Sequence, residues 1–307
     1  MRIVSLLPSA TEICFALGLG QSLVGVTHEC DFPPQARYKP ILTRSTLEGG
    51  GPAEVDRHVR EALHQGSSLY ALDQEALRRA RPDLILTQEL CQVCAVGYPE
   101  VLEASRLLPG RPQVLSLEPG TLTEVIHSIG TVGRVAGVRE RAAELERGLF
   151  ARLDAVRGAV AGRARPRVVC LDGLDPLMVA GHWVPEQVDA AGGIDVLGES
   201  RQKSLVVLPD EVLAAQPEVI LAMPCGLGLE ETIRQVEETA ALAPLAGAPA
   251  VRGKAVFALN GSWYFNRPGP RVVDGIEMLA RVLHPDAWRG PVPQGFAHIG
   301  TEEVKAV

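Results

Sequence analysis

Aromatic side chains make up only 4% of the 307 residues. Large planar surfaces are therefore scarce, and the cores must be built from aliphatic residues. Long apolar runs are missing as well: none approaches the roughly 20 residues that a membrane-crossing helix needs, so no membrane insertion is expected. At the start of the chain Pro8, Ser9, Thr11 and Glu12 break up the apolar residues and no basic leader precedes them, which reads as no secretion signal and sets the expected placement as cytoplasmic. No nucleophile elbow, phosphate-binding loop or dinucleotide fingerprint is found; Cys225-Gly-Leu-Gly228 comes nearest and lacks the third glycine. With 37 acidic against 30 basic residues and the basic ones scattered, nucleic acid is not an expected partner. No acid-base pair can be placed either, so a binding protein is favoured over an enzyme.

What is present begins with one long helical run. Leu145, Leu149, Leu153, Val156 and Val160 recur every three or four residues between charged neighbours, giving one apolar stripe over 138–162. On either side the chain repeats itself. Laying Pro82 on Pro217 superposes Glu75–Leu86 on Asp210–Leu221, each an acid opening a short helix, a proline, a second acid and an aliphatic strand. Each half also opens alike, with Arg2-Ile-Val-Ser-Leu6 and Arg167-Val-Val-Cys-Leu171. The expected fold is α/β, two similar Rossmann-like lobes joined by one long helix with a ligand crevice between them. The expected boundaries are 1–137, 138–162, 163–285 and a loosely packed tail, 286–307.

In chain order, a strand at Arg2–Leu6 leads into Ser9-Ala-Thr-Glu12, which reads as a capping box for a helix ended by Gly18 and Gly20. Leu23–Val26, Asp83–Thr87 and Gln113–Leu117 complete the first set of strands. Glu48-Gly-Gly-Gly51 is a break before an amphipathic helix, Ala53–His64. Thr121 or Thr123 caps a helix reaching Val135. In the second half Leu177–Ala180 reads as an edge strand, Val184–Ala191 as a helix stopped by Gly192-Gly193, and Lys254–Leu259 as the last strand.

The chemistry centres on cysteines. Cys30, Cys91, Cys94 and Cys225 each follow an expected strand, where parallel sheets place ligand-binding loops. Thiolates suit zinc, iron-sulfur clusters and other soft metals. The same residues serve equally as small buried side chains or, at Cys91 and Cys94, as a redox pair. His28 and Glu29 lie beside Cys30, and His182 beside Trp183; Cys14 sits among apolar neighbours and reads as core.

Taken together, Arg2-Ile-Val-Ser-Leu-Leu-Pro-Ser-Ala-Thr-Glu12, Val24-Gly-Val-Thr27, Asp31-Phe-Pro-Pro34, Arg81-Pro-Asp-Leu-Ile85, Gly181, Gln187-Val188, Gly192-Gly193, Trp263 or Tyr264, and Pro270-Arg271 resemble the helical-backbone solute-binding proteins of ABC importers, the cobalamin-binding branch most of all. The resemblance covers about Arg2 to Leu283. It implies lobes that hold a metal chelate, a corrinoid first of all, and an acid on each lobe, Glu75 and Asp210, that docks to arginines of a permease. Ligand contacts are then expected from His28, Glu29, Cys30, Asp172, His182, Trp263 and Tyr264, and metal contact from Cys30, Cys91, Cys94 and Cys225. The aromatics that pack on a corrin in that branch correspond to Glu29, Asp172 and Ser204. The alternatives are a thiolate zinc or iron-sulfur sensor and a cysteine-dependent redox or transfer enzyme on the same fold.

Overall fold

The computed structural model describes residues 1–46, 70–89 and 97–300. The expected break at Glu48, the helix Ala53–His64 and the Cys91/Cys94 pair lie outside the described residues. The chain divides into two compact units, Met1–Pro119 with His127–Glu146, and Gly120–Ile126 with Arg147 onward. The expected boundaries differ from these in three places: the long helix divides near its first third, residues 120–126 belong with the second unit, and the tail is not a separate body.

The first unit holds β1 (Ile3–Ser5), β2 (Leu23–Gly25), β3 (Thr43–Ser45), β4 (Tyr70–Leu72), β5 (Leu84–Thr87) and β6 (Gln113–Ser116). Four of these form a parallel sheet in the order β2-β1-β5-β6, while β3 and β4 pair antiparallel beside it. Strands buried on both faces need continuous aliphatic runs, and Ile3, Val4, Leu84, Ile85 and Leu86 are all at most 1% exposed. The helix Pro8–Ala16 does not use the expected capping box. Extended Leu7 is its N-cap and Pro8 its first residue, with no side-chain cap, because proline has no N–H to satisfy there. The helix Leu122–Val135 does have a cap: Thr121 Oγ1 accepts from the Glu124 amide at 3.2 Å, and Glu124 accepts in return from the Gly120 and Thr121 amides at 2.8 and 3.2 Å.

The second unit holds β7 (Arg167–Leu174), β8 (Leu177–Val179), β9 (Ile194–Asp195), β10 (Leu205–Val206), β11 (Val219–Ala222), β12 (Val256–Leu259) and β13 (Phe296–His298). Its sheet runs β10-β8-β7-β11-β12-β13, with β9 also on β7. Two expectations are corrected here. The strand at 177–179 is not an edge, because Leu205 and Val206 pair with its outer side. Nor is 256–259 the last strand, because β13 adds antiparallel to it. The tail is packed: Trp288, Phe296 and Ala297 are at most 9% exposed, and the Asn260 amide donates to Gly295 at 2.7 Å. Proline and glycine in that stretch form turns around a short apolar strand.

The sequence repeat is a repeat of structure. The helices Gln74–Ala80 and Pro209–Ala214 each turn into a strand through a residue with positive φ, Arg81 at +43° and Gln216 at +45°. Before each following strand, the Asp83 and Glu218 carboxylates accept from the amides of Arg2 and Arg167 at 2.7 and 2.8 Å. The Arg2 and Arg167 guanidinium groups donate to the carbonyls of Ala80 and Ala215, the ends of the two helices.

The long helix spans Arg139–Val160, about 33 Å at 1.5 Å per residue. Most of its stripe is buried, with Leu149, Leu153, Val156 and Val160 between 0 and 7% exposed, each contributing about 1.5–3 kcal/mol, while Leu145 is half-buried. On its second half Arg152 donates to Glu277 at 2.7 and 2.9 Å and to Asp274 at 2.5 Å on the helix Val272–Leu283. The Glu277 side chain is 5% exposed and Arg152 41%, so removing the arginine strands a buried carboxylate. Arg152→Met should therefore cost about 1–3 kcal/mol in urea denaturation, discounted for the arginine's exposure, and adding Glu277→Gln should restore most of it. Equal losses in the single and double variants would count against the bridge.

Candidate functional site

The first sheet is parallel and reverses strand order between β1 and β5; the second is mixed, with β7, β11 and β12 as its parallel centre. Loops leaving the carboxyl ends at such a reversal splay apart and leave room for a ligand. Each unit carries a polar cluster at this end.

In the first unit, Ser5 at the end of β1 donates to the Leu7 carbonyl at 2.9 Å and accepts from Thr11 at 2.9 Å. The Cys30 thiol, 4% exposed, lies 3.1 Å from the hydroxyls of both Thr11 and Thr27. His28 Nδ1 is 2.8 Å from the Thr43 hydroxyl, its ring centroid is 4.9 Å from that of Tyr70, and its Nε2 is 3.8 Å from Glu29. Burial lowers the His28 pKa while Glu29 raises it, with a net downward shift. His28 and Glu29 are thus joined in a half-buried polar patch. The threonines were not singled out from sequence, because hydroxyls leave no pattern until the fold gathers them.

Of the cysteines expected at a metal, Cys91 and Cys94 lie outside the described residues, and Cys30 is buried beside two hydroxyls. Cys14 is core as expected, its thiol pushed up to about 12 by burial and then by Cys30. Cys225 is exposed. Among the described residues, no three of His, Cys, Asp and Glu are grouped to hold a metal.

In the second unit, Asp172 on β7 accepts from Ser204 at 2.5 Å and from Asn266 at 3.0 Å. Burial raises the Asp172 carboxyl above its ordinary value, and these two hydrogen bonds pull against that rise. Asn266 Oδ1 is buried and has no hydrogen-bond partner among the described residues. Ser204 was noted in the sequence for its place beside the ligand, whereas Asn266 gave no signal from its own neighbourhood. His182 stands in a left-handed turn at φ +52°. Its amide donates to Gln202 at 2.7 Å, its Nδ1 is buried without a partner among the described residues, and burial and then Lys203 lower its pKa. Gly181 before it is obligatory, since a Cβ there would collide with the Gln202 carbonyl.

The aromatic stretch is a one-turn helix, Gly261–Tyr264, capped by Asn260 Oδ1 accepting from the Trp263 amide at 3.0 Å. Trp263 is half-buried with the Arg271 guanidinium 5.2 Å from its ring centroid, a cation-π distance. Tyr264, expected as a ligand contact, is a buried residue. It is 6% exposed, and its hydroxyl donates to the Gln294 carbonyl at 3.0 Å. The phenol ring is committed to the packed tail.

With this geometry in view, the comparisons with known proteins are consistent. The profile of the periplasmic binding protein family matches residues 3–262. A vitamin B12-binding protein of Vibrio cholerae serotype O1 is 26% identical over 291 residues, covering 92% of this chain and 88% of the relative. Among solved structures, the periplasmic vitamin B12 binding protein of Vibrio cholerae is 25% identical with a TM-score of 0.68, covering 94% of this chain and 98% of that one. A periplasmic heme-binding protein from Roseiflexus sp. RS-1, in apo form, is 27% identical with a TM-score of 0.69, covering 93% and 98%. These descriptions overturn the cytoplasmic expectation: the relatives work in the periplasm. A targeting leader is separate from the folded body, so the pattern of the first residues was a poor guide to where that body works. Among the described residues, no helix is long and apolar enough to cross a membrane.

The Asp172 environment sets a pH dependence. Its folded pKa lies above the ordinary 3.8, so the folded state holds the proton more tightly than the unfolded one, and stability falls as pH rises from about that value through the folded pKa. Asp172→Asn keeps the shape and removes the titration. Chemical denaturation from pH 4 upward should show the variant losing less stability than the parent across this window, and parallel curves would contradict the assignment.

Proposed function

Because the chain belongs to the periplasmic binding protein family, we propose that it is a solute-binding protein whose cargo is a metal chelate of the corrinoid class, handed on to an ABC permease. Relatives named for vitamin B12 and for heme both support a chelate as cargo. The observation that favours the corrinoid is the Asp172, Ser204 and Asn266 cluster. A corrinoid periphery is rich in neutral carboxamides, which donate N–H groups; a heme periphery carries carboxylates. The carboxylate at Asp172 and the buried Asn266 oxygen, without a partner among the described residues, both accept hydrogen bonds. Such acceptors suit amide donors and repel carboxylates.

In this reading Trp263 supplies the apolar surface against the ring edge, His28 and His182 orient polar groups, and Tyr264 supports Trp263 from behind. Those roles make up for the shortage of aromatics through hydrogen bonding. Cys30 lies beside two threonine hydroxyls in this reading; Cys91 and Cys94, the pair that the thiolate alternative would use, lie outside the described residues.

The permease contact rests on Glu75 and Asp210. Both are exposed and both are the second residue of the repeated helix, where a negative charge also complements the helix N-terminus.

Two measurements test this reading. Calorimetric titration should give one cyanocobalamin per chain, hemin at least about tenfold weaker, and roughly tenfold loss of cobalamin affinity in Trp263→Ala. Tighter hemin than cobalamin binding would overturn the corrinoid choice. Glu75→Ala and Asp210→Ala should leave cobalamin affinity within about twofold while lowering permease-dependent uptake roughly tenfold; unchanged uptake would remove both acids from the docking role.

A further inference from the structure

Basic residues look scattered along the sequence, yet the fold gathers four of them. Arg2, Arg78, Arg79 and Arg81 line an open cavity of about 550 Å³ on the first unit. All four are exposed. The nearby acids are partly engaged: Glu75 accepts from Arg79 at 2.8 Å and Asp83 from the Arg2 amide at 2.7 Å. We propose that this groove docks an acidic segment of a partner protein, an inference that stands apart from the identity of the chelate.

The internal repeat acts as a built-in control. Arg2 and Arg167 make the same bonds to the end of the preceding helix, so Arg2 is accounted for by the fold. The positions matching Arg78, Arg79 and Arg81 in the second unit are Leu213, Ala214 and Gln216. Gln216 adopts the same left-handed backbone as Arg81, φ +45° against +43°. The same helix, turn and strand thus form without the three extra guanidinium groups. Their presence in one copy calls for a reason outside folding.

The occupant follows from the chemistry of the groove. Guanidinium forks pair with carboxylates two bonds at a time. On an exposed surface each pair is weak and screened by salt, so a single small anion gains little. A peptide presenting several carboxylates along an open groove adds such pairs together. A phosphate cradle would call for converging backbone N–H groups, whereas the residues lining the open groove are four arginines. The chain as a whole carries a net charge of −7, so general charge attraction does not draw an acidic partner to it and a local basic patch is needed.

The test uses the full chain and a fluorescein-labelled deca-glutamate peptide, followed by anisotropy at low salt. Arg78→Gln/Arg79→Ala/Arg81→Gln copies the second unit's side chains at two positions and should weaken binding by roughly tenfold or more. An Arg163→Gln/Arg234→Gln/Arg252→Gln variant removes the same charge elsewhere and should stay within about twofold of the parent. Arg78→Gln alone, on an exposed helix face, gives a second variant with a smaller loss in the same direction. Equal losses in both triple variants would reduce the effect to bulk charge and overturn the proposal. So would absence of peptide binding, or a preference for inorganic tripolyphosphate or for phosphatidylglycerol vesicles over the peptide.

Discussion

The parallel pairing of β1 with β5 and of β7 with β11 is the constraint on which the rest depends. Parallel neighbours cannot be joined by a tight turn, so each connection must climb back over the sheet through a helix. That forces both faces to be covered and the strands to be aliphatic throughout. It also points the carboxyl ends of these parallel strands one way, so polar loops collect there. The amino ends are clasped by the same device in both units, an arginine amide held by the acid before the neighbouring strand and its guanidinium held by a helix end. Each clasp also satisfies carbonyls that a terminating helix leaves unpaired.

At the carboxyl ends the two units differ in chemistry on a shared frame. The first gathers hydroxyls around a buried thiol and a histidine whose ring lies tilted against Tyr70. The second sets a carboxylate between a serine and an asparagine, with burial and hydrogen bonds opposing each other on its proton. The Cys30 thiol lies 3.1 Å from the hydroxyls of Thr11 and Thr27, contacts that spacing along the sequence does not reveal.

Repetition within one chain separates what folding needs from what it does not. Features present in both copies, the proline after the helix, the left-handed residue before it and the arginine clasp, belong to the frame. Features present in one copy are free to serve something else. Glu75 and Asp210 fall between these cases, kept as acids at one helix position where the helix N-terminus already favours them.

The sequence by itself determined the α/β class, the repeat and the long helix, because these rest on periodicity and turn residues within about 15 positions of one another. It also placed the resemblance on which the family assignment rests. What it could not determine were pairings over long separations. Asn266 reaches Asp172 across 94 residues and Ser204 reaches it across 32; β13 extends β12 from a stretch rich in proline and glycine; Tyr264 turns inward because that stretch covers it. Four arginines split between the first strand and a later helix become one groove for the same reason. Local pattern fixes which backbone a segment adopts, whereas partners for a buried polar or charged side chain are chosen by topology, and only the folded chain brings them within hydrogen-bond reach.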